Sequence, residues 1–285
     1  MGFATFASVT SFAEQTRAVA NVGAPRSLDA INKIDFMRET LDHFLRTLIN
    51  INLRSIKNAN LVVGDQKLIL LAVKWSFIIE YANSIMVLLR TENEQPIFGL
   101  LRSMVESYVD FRNLMTIPDY EKSLEIENAQ QREKQLKYRD RASEHPLVKI
   151  FFPSESAIDQ EKLDIAKIKK VATEQNIKSL KIIDKFQKAQ MEPEYYTIYS
   201  HLSSQTHGNL LKLLDKKFNV NNGTAKIRVF TEVDDLTLSP LIDMTAGILA
   251  SCVEAISNYR PGMLRTNIRR LKLIVKTYRE RIQSF

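Results

Sequence analysis

Residues 68–89 read LILLAVKWSFIIEYANSIMVLL, and this almost unbroken apolar stretch decides the fold. It is long enough to span a bilayer, but Lys74, Glu80 and Asn83 interrupt it. Each charge near a bilayer centre costs about 2.5 to 3.5 kcal/mol on insertion scales. We therefore predict a central core helix rather than a membrane span, with Asp65 as its cap.

The next stretch, residues 96–115, reads PIFGLLRSMVESYVDFRNLM and predicts a second helix. Pro96 stands at the first-turn position that proline tolerates, and Pro118 marks the end. Together the two stretches predict a helical hairpin over residues 65–116. Upstream, residues 27–57 carry apolar side chains at the three-and-four spacing of one helical face.

The region after the hairpin, residues 118–190, is rich in charge and poor in apolar side chains. Its first part, residues 119–145, is typical of an exposed helix held by i, i+4 ion pairs, or of a mobile arm, and not of a core element. We predict a polar helical insertion, with helices over residues 154–175 and 177–189.

The remaining segments complete a predicted all-α, multi-helix bundle. Residues 226–233 (KIRVFTEV) alternate as a strand does, so we allow at most one short β-hairpin. We expect residues 1–26 to be a partly mobile N-terminal segment and residues 27–285 to be the helical domain. Further helices are predicted over residues 193–217, 239–259 and 263–283.

Composition excludes several classes of site. The 8 glycines among 285 residues are scattered singly, and the chain has neither GxGxxG nor GxxxxGK[ST], so we expect no nucleotide cofactor. His201 and His207 are six residues apart and no HExxH occurs, so we expect no metal. The single cysteine, Cys252, lies in an apolar stretch and predicts a buried thiol. Because the chain starts without a basic, uninterrupted apolar leader, we expect a cytoplasmic protein.

The last helix, residues 261–283, is the most distinctive charged feature. From Arg260 to Arg281 there are eight basic residues and one acid, a net charge of +7 that equals the formal charge of the whole chain. An apolar seam from Leu264 to Ile282 repeats at alternating four and three. The basic side chains that would bind nucleic acid phosphates are Arg265, Arg269, Arg270, Lys272, Lys276 and Arg279.

Three interpretations of this helix remain open. Its basic side chains would be merely solvated on a docked helix, or would neutralise successive phosphates, or would bind an anionic membrane or acidic partner. We expect RNA or DNA as the partner, with a partner protein or a second copy of the chain as alternatives.

A second polar feature pairs two predicted helices. Arg102, Glu106 and Asp110 follow one another at i, i+4. In residues 195–209 (YYTIYSHLSSQTHGN), Ser203 and His207 lie in neighbouring rows. If the helices face each other, an arginine, a carboxylate, a serine and a histidine share one cleft.

These residues predict a catalytic site in which each side chain has its own role. His207 would be the acid/base, Arg102 the anion-binding group, and Glu106 the residue that orients either. Ser203 is a candidate nucleophile, although a helical serine lacks the strained elbow of serine hydrolases. The alternative is structural, since i, i+4 ion pairs and buried hydrogen bonds are common in helical proteins.

The patterns LLRSxxES, at residues 100–107, and YxxLSxxxHG, at residues 199–208, resemble an uncharacterised bacterial all-helical family of unknown function. The likeness covers residues 66–114 and 195–211. It implies functional importance for Arg102, Glu106, Ser203 and His207, and it implies no known reaction.

The chain is also loosely similar to HEPN proteins, helical ribonuclease toxins that include abortive-infection effectors. Their R-x4-6-H motif has two formal matches here, Arg38 to His43 and Arg139 to His145. About one match is expected by chance, so the motif itself carries little information. We expect a bacterial helical effector of toxin or phage-defence type that binds or cleaves nucleic acid. A non-catalytic interaction or scaffold protein is the alternative.

Overall fold

The structure is a computed structural model in which the chain is mainly helical. It describes residues 28–59, 61–62, 64–91, 95–142, 144–151, 154–206, 217–221, 224–227, 233, 235–262, 264 and 268–283. In chain order the longer helices are α1 (Leu28–Lys57), α2 (Gln66–Leu88), α3 (Ile97–Thr116), α4 (Tyr120–Arg141), α5 (Pro146–Phe151), α6 (Glu155–Glu174) and α7 (Ile182–Lys188). They are followed by α8 (Glu192–Glu194), a π-helical turn (Tyr195–Tyr199), α9 (Ser200–Thr206), α10 (Asp235–Tyr259) and α11 (Ile268–Gln283).

The chain forms two compact units. The first contains the described residues of Met1–Val62, Ala72–Tyr108 and Tyr196–Phe285, and the second contains those of Val63–Leu71 and Val109–Tyr195. Helices α2 and α3 contribute residues to both units. The all-α prediction is confirmed.

The first unit is built around α1 and α10, with α11 packed on both. Its core contains fully buried side chains such as Phe44, Ile78 and Leu249. The indole of Trp75 donates to Oδ1 of Asn52 at 2.7 Å, which satisfies two buried polar groups. Cys252 is fully buried, as predicted, and burial raises the pKa of its thiol, which makes it a poor nucleophile.

Helix α2 begins where the sequence predicts. The backbone N–H of Leu68 donates to Oδ1 of Asp65 at 2.9 Å, so Asp65 is the cap. Within the described residues two helical stretches are long and apolar enough to cross a membrane, Gln66–Leu88 and Thr237–Tyr259, with mean hydropathy 1.4 and 1.3. Core helices of soluble proteins pass the same test, and 44% and 61% of the two windows are buried within the protein.

The second unit shows that the polar region has a core of its own. Helices α4 and α6 pack together and bury Ala129, Leu136, Ile158 and Ile165. The expectation that residues 119–145 hold no core element is therefore wrong, since Ala129 and Leu136 lie in this core. The reason is spacing, since a few apolar residues among many charges suffice when they recur on the one face that meets the other helix.

Two predicted element boundaries also need correction. The helix expected over residues 177–189 spans only Ile182–Lys188. The short β-hairpin consists of β1 (Phe218–Asn221) and β2 (Thr224–Ile227), paired antiparallel with Phe218 opposite Ile227. The strand expected over 226–233 thus contributes only its first two residues among those described. Residues 222–223, which join the two strands in the sequence, lie outside the described residues.

Candidate functional site

Two helices of the first unit bring three polar side chains together. Helix α3 supplies Arg102 and Glu106 from successive turns, and the π-helical turn supplies Tyr199. We call these three residues the arginine cluster. Tyr199 is 6% exposed, and the side chains of Arg102 and Glu106 are 25% and 38% exposed. The cluster is therefore partly buried, and its two charged side chains are partly exposed to solvent.

The phenol of Tyr199 holds the cluster together. Its oxygen accepts a hydrogen bond from Nη2 of Arg102 at 3.0 Å and donates to Oε1 of Glu106 at 2.7 Å. Nη2 of Arg102 also lies 3.2 Å from Oε1 of Glu106. The guanidinium carbon is 5.3 Å from the centre of the Tyr199 ring, within the range of a cation–π contact.

The cluster stabilises the charges that these hydrogen bonds require. Burial raises the pKa of Tyr199, and the carboxylate of Glu106 adds to that rise, so the phenol stays protonated and able to donate. The hydrogen bond to Tyr199 is the main cause that raises the pKa of Arg102, with the charge of Glu106 adding to it. At neutral pH the cluster is thus a cation, a neutral phenol and a carboxylate.

One atom of the cluster is left unsatisfied. Nε of Arg102 is buried and has no hydrogen-bond partner among the described residues. A buried donor without a partner costs roughly 1 to 3 kcal/mol, and such atoms in native proteins call for an explanation. A water or a ligand oxygen is the group that would satisfy it.

Close packing brings the helix carrying Tyr199 to α3. Leu202 in α9 is fully buried. Thr206 of the same helix lies close to Gly99, and a Cβ atom added at Gly99 would be 3.7 Å from Cγ2 of Thr206. That distance is ordinary van der Waals contact, so alanine would also fit at position 99.

Not every predicted catalytic residue joins the cluster. Ser203 is half-buried in α9, one helical turn beyond Tyr199. His207 lies outside the described residues. Asp110, predicted to continue the row of Arg102 and Glu106, belongs to the second unit.

Tyr199 is the residue that the sequence reasoning missed. It is the tyrosine of the YxxLSxxxHG pattern at residues 199–208. We passed over it because, in a helix, tyrosine is ordinarily a packing residue with a polar tip. The signal that points to it is its i, i+4 spacing with Ser203, a residue already predicted to be part of the site.

The arginines of the two R-x4-6-H matches already have protein partners. Arg38 donates to the carbonyl oxygen of Val233 at 3.4 Å. Arg139 pairs with Asp140 and Glu155, and Nδ1 of His145 accepts from the backbone N–H of Leu147 at 3.3 Å. Neither match gives an arginine and a histidine that face a common space, so we build no site on either.

The basic helix α11 is docked through part of its charge. Nζ of Lys272 lies 2.6 Å from Oε1 of Glu254, and Arg279 makes a two-pronged pair with Asp243 at 2.7 and 3.1 Å. Its apolar seam packs inward, with Leu271 buried and Tyr278 stacked on Phe44.

The remaining basic side chains of α11 face outward. Arg269, Arg270 and Lys276 are exposed, and Lys276 makes only a loose pair with Glu280 at 3.6 Å. Arg265 lies outside the described residues. A phosphate-binding surface on this helix would therefore centre on these three residues.

A second polar cluster lies inside the second unit. Nζ of Lys185 is 2.6 Å from Oε2 of Glu127 and 3.2 Å from Oδ1 of Asp110, and the phenol of Tyr120 donates to Oδ1 of Asp110 at 2.7 Å. We call these four residues the lysine cluster. Lys185 and Asp110 are each 7% exposed and Tyr120 is 1% exposed. Sequence reasoning did not predict this cluster.

The described residues contain no group of three or more His, Cys, Asp or Glu side chains placed to hold a metal ion. The fold and the arginine cluster define an all-helical protein with a half-buried cation, carboxylate and phenol.

The chain belongs to a family of unknown function (DUF5677), whose model matches residues 68–225, more than half of its length. No curated protein and no solved structure matches the chain.

Proposed function

We propose that the chain is a cytoplasmic helical effector that binds RNA or DNA at the arginine cluster. We further propose that it can cleave the nucleic acid bound there. The observation that carries the proposal is the buried Nε of Arg102, which has no hydrogen-bond partner among the described residues, in a side chain that is 25% exposed. Arginine is the side chain that best matches the paired oxygens of a phosphate.

The roles follow from the chemistry of phosphodiester cleavage. In RNA the 2′-hydroxyl attacks the adjacent phosphorus and the bond to the 5′-oxygen breaks, so a base takes one proton and an acid returns one to the leaving oxygen. Arg102 would neutralise the charge that develops on the phosphate. Glu106 would orient Arg102. His207, outside the described residues, stays the acid/base candidate, and Ser203 a neighbouring polar group.

The basic helix would supply affinity rather than chemistry. Phosphate contacts by exposed lysine and arginine release counterions, so binding through Arg269, Arg270 and Lys276 would weaken steeply as salt rises. Replacing all three by alanine should flatten that salt dependence. Replacing the exposed Lys134, Lys137 and Arg141 of α4 instead is the matched control.

The experiment compares wild-type protein with Arg102→Ala and His207→Ala variants on total RNA and defined DNA strands. Cleavage or binding by wild type that both variants lose supports the proposal, and Arg141→Ala should behave as wild type. If wild type leaves every substrate intact and binds none, the proposal is wrong.

The alternative is a non-catalytic interaction or scaffold protein that docks a partner or a second copy of the chain. It is favoured by the mutual pairing of Arg102, Glu106 and Tyr199, and by the ion pairs that hold α11 through Lys272 and Arg279. In that case the same variants would leave nucleic acid untouched while changing the oligomeric state or the capture of a defined protein.

A further inference from the structure

We propose that Tyr199 is a positioning residue of the arginine cluster, presented by the π-helical turn, and that its phenol fixes Arg102 in the orientation that receives a phosphate oxygen. This inference rests on the proposed function, because it takes phosphate as the ligand of Arg102.

The first step is the π-helical turn itself. Residues 192–206 are helical throughout, but Tyr195–Tyr199 adopt the i→i+5 pattern, flanked by α8 and α9. Such turns are rare and frequently lie at functional sites, because they add one residue to a helix and rotate the side chains on either side. The cost of this poorer geometry must be offset by contacts that the turn makes possible.

Those contacts are visible at both ends of the turn. Tyr195 packs edge-on against Phe186, with ring centres 5.4 Å apart. Tyr199, four residues later, reaches Arg102 and Glu106. The two tyrosines at the ends of the turn thus contact different partners, Tyr195 an aromatic ring and Tyr199 the polar side chains of the arginine cluster.

The second step is what the hydroxyl adds to the ring. The ring alone covers the guanidinium of Arg102, whereas the hydroxyl both accepts from Nη2 and donates to the carboxylate that pairs with it. The hydroxyl thereby restrains a long, flexible side chain whose ordering otherwise costs up to about 2 kcal/mol of rotamer freedom. With Arg102 restrained, its Nε keeps a fixed direction. The entropy of ordering this side chain is then lost on folding, and it does not reduce the affinity for the ligand.

The test uses Tyr199→Phe, which removes only the hydroxyl, and Tyr196→Phe, which removes a hydroxyl from the 63% exposed tyrosine of the same turn. Nitrogen-15 labelled arginine would report the side-chain signals of Arg102, assigned from their loss in Arg102→Lys, while inorganic phosphate is titrated. We expect phosphate to shift the Arg102 signals in wild type and in Tyr196→Phe. In Tyr199→Phe we expect the dissociation constant for phosphate to be at least tenfold higher. A change of that size corresponds to the loss of one hydrogen bond to a charged group.

A double-mutant cycle separates positioning from a general loss of structure. All four proteins of the cycle are compared by calorimetric titration with phosphate, because Arg102→Lys lacks the arginine signals. In an Arg102→Lys background the Tyr199→Phe change should no longer weaken phosphate binding, because its effect acts through the guanidinium. Glu106→Gln keeps an oxygen that accepts from the phenol and removes a negative charge near the ligand, so it should not weaken phosphate binding as Tyr199→Phe does. If Tyr199→Phe is less stable to urea, the titration is run at a temperature where both proteins are fully folded, and the comparison with wild type still decides the question.

The outcomes are distinct. Equal phosphate affinity in wild type and Tyr199→Phe overturns the inference, and so does a wild type whose Arg102 signals ignore phosphate. Phosphate binding that depends on Tyr199, found in a protein that cleaves and binds no nucleic acid, supports the inference while refuting the proposed function.

Discussion

Helix α3 contributes to two polar clusters that contain the same kinds of group in opposite surroundings. The arginine cluster joins a cation, a carboxylate and a phenol with a quarter of the Arg102 side chain exposed. The lysine cluster joins a cation, two carboxylates and a phenol with Lys185 and Asp110 each 7% exposed.

The difference separates structure from candidate function. In the lysine cluster Lys185 has two acidic partners and Tyr120 donates inward, so its charges are used within the protein. In the arginine cluster Nε of Arg102 has no hydrogen-bond partner among the described residues, and the Arg102 side chain is 25% exposed. Residue types alone do not distinguish the two, whereas exposure and an unused donor do.

Breaking the lysine cluster should have the largest effect on stability. Lys185→Met leaves the buried carboxylate of Asp110 without its cation, and breaking a buried pair in this way costs about 3 to 5 kcal/mol of unfolding free energy. Urea unfolding would measure the loss. Lys188→Met, on the exposed side of the same helix, is the control and should change stability little. A loss below about 1 kcal/mol for Lys185→Met would show that the cluster is not structural.

Tyr120→Phe should have the next largest effect. It keeps the buried ring but removes the hydrogen bond to Asp110, which is worth about 1 to 3 kcal/mol when a charged acceptor is left short of a donor. Tyr138→Phe, at a tyrosine that is 67% exposed, is the matched control. Equal urea midpoints for the two variants would contradict the expected role of the Tyr120 hydroxyl.

Alkaline pH should weaken the lysine cluster selectively. Burial raises the pKa of Tyr120; burial lowers the pKa of Lys185, but Asp110 and Glu127 raise it by more, so its net direction is up. A group whose pKa is higher in the folded than in the unfolded protein stabilises the fold fully at pH values below its unfolded pKa. That contribution is lost as the pH rises through its folded pKa. Stability should therefore fall only above the ordinary values of 10.0 and 10.5.

Urea midpoints measured from neutral to alkaline pH would test this pH dependence. The alkaline fall should be smaller in Tyr120→Phe, which lacks the titrating phenol. An equally steep fall in wild type and variant would assign the effect to other groups.

The arginine cluster should show the reverse balance, with the smallest effect on stability. Arg102→Ala should change the unfolding free energy by less than about 1 kcal/mol, because partly exposed ion pairs contribute little. The same variant should lose phosphate binding. Differential scanning calorimetry would measure the change in stability, and the phosphate titration would measure the change in affinity. Arg141→Ala is the control for both measurements. A large loss of stability would make the arginine cluster a second structural cluster.

The helices themselves could largely be predicted, because their signals are local. The apolar stretch at residues 68–89, the cap Asp65 and the prolines around α3 all act within one or two turns. Helix α7 is shorter than predicted, since amphipathic spacing over residues 177–189 does not show where the chain leaves the helix. The core between α4 and α6 was missed because its few apolar residues are separated by long runs of charge.

The sites could be predicted only in part. The i, i+4 pair of Arg102 and Glu106 is visible in the sequence, and so is the tyrosine of the YxxLSxxxHG pattern. No local sequence pattern predicts the π turn that contains Tyr199. Lys185 and Asp110 are 75 positions apart in the sequence, so no local pattern predicts their ion pair either.

The sequence by itself determined an all-helical protein with a central apolar helix and a basic terminal helix, because helix periodicity, capping and charge are properties of neighbouring residues. The tertiary structure was needed to show which charges along α3 pair within the protein, and which donor has no partner among the described residues. That outcome depends on burial and on partners from distant segments, which fix the free energy of a charge far more than its residue type does.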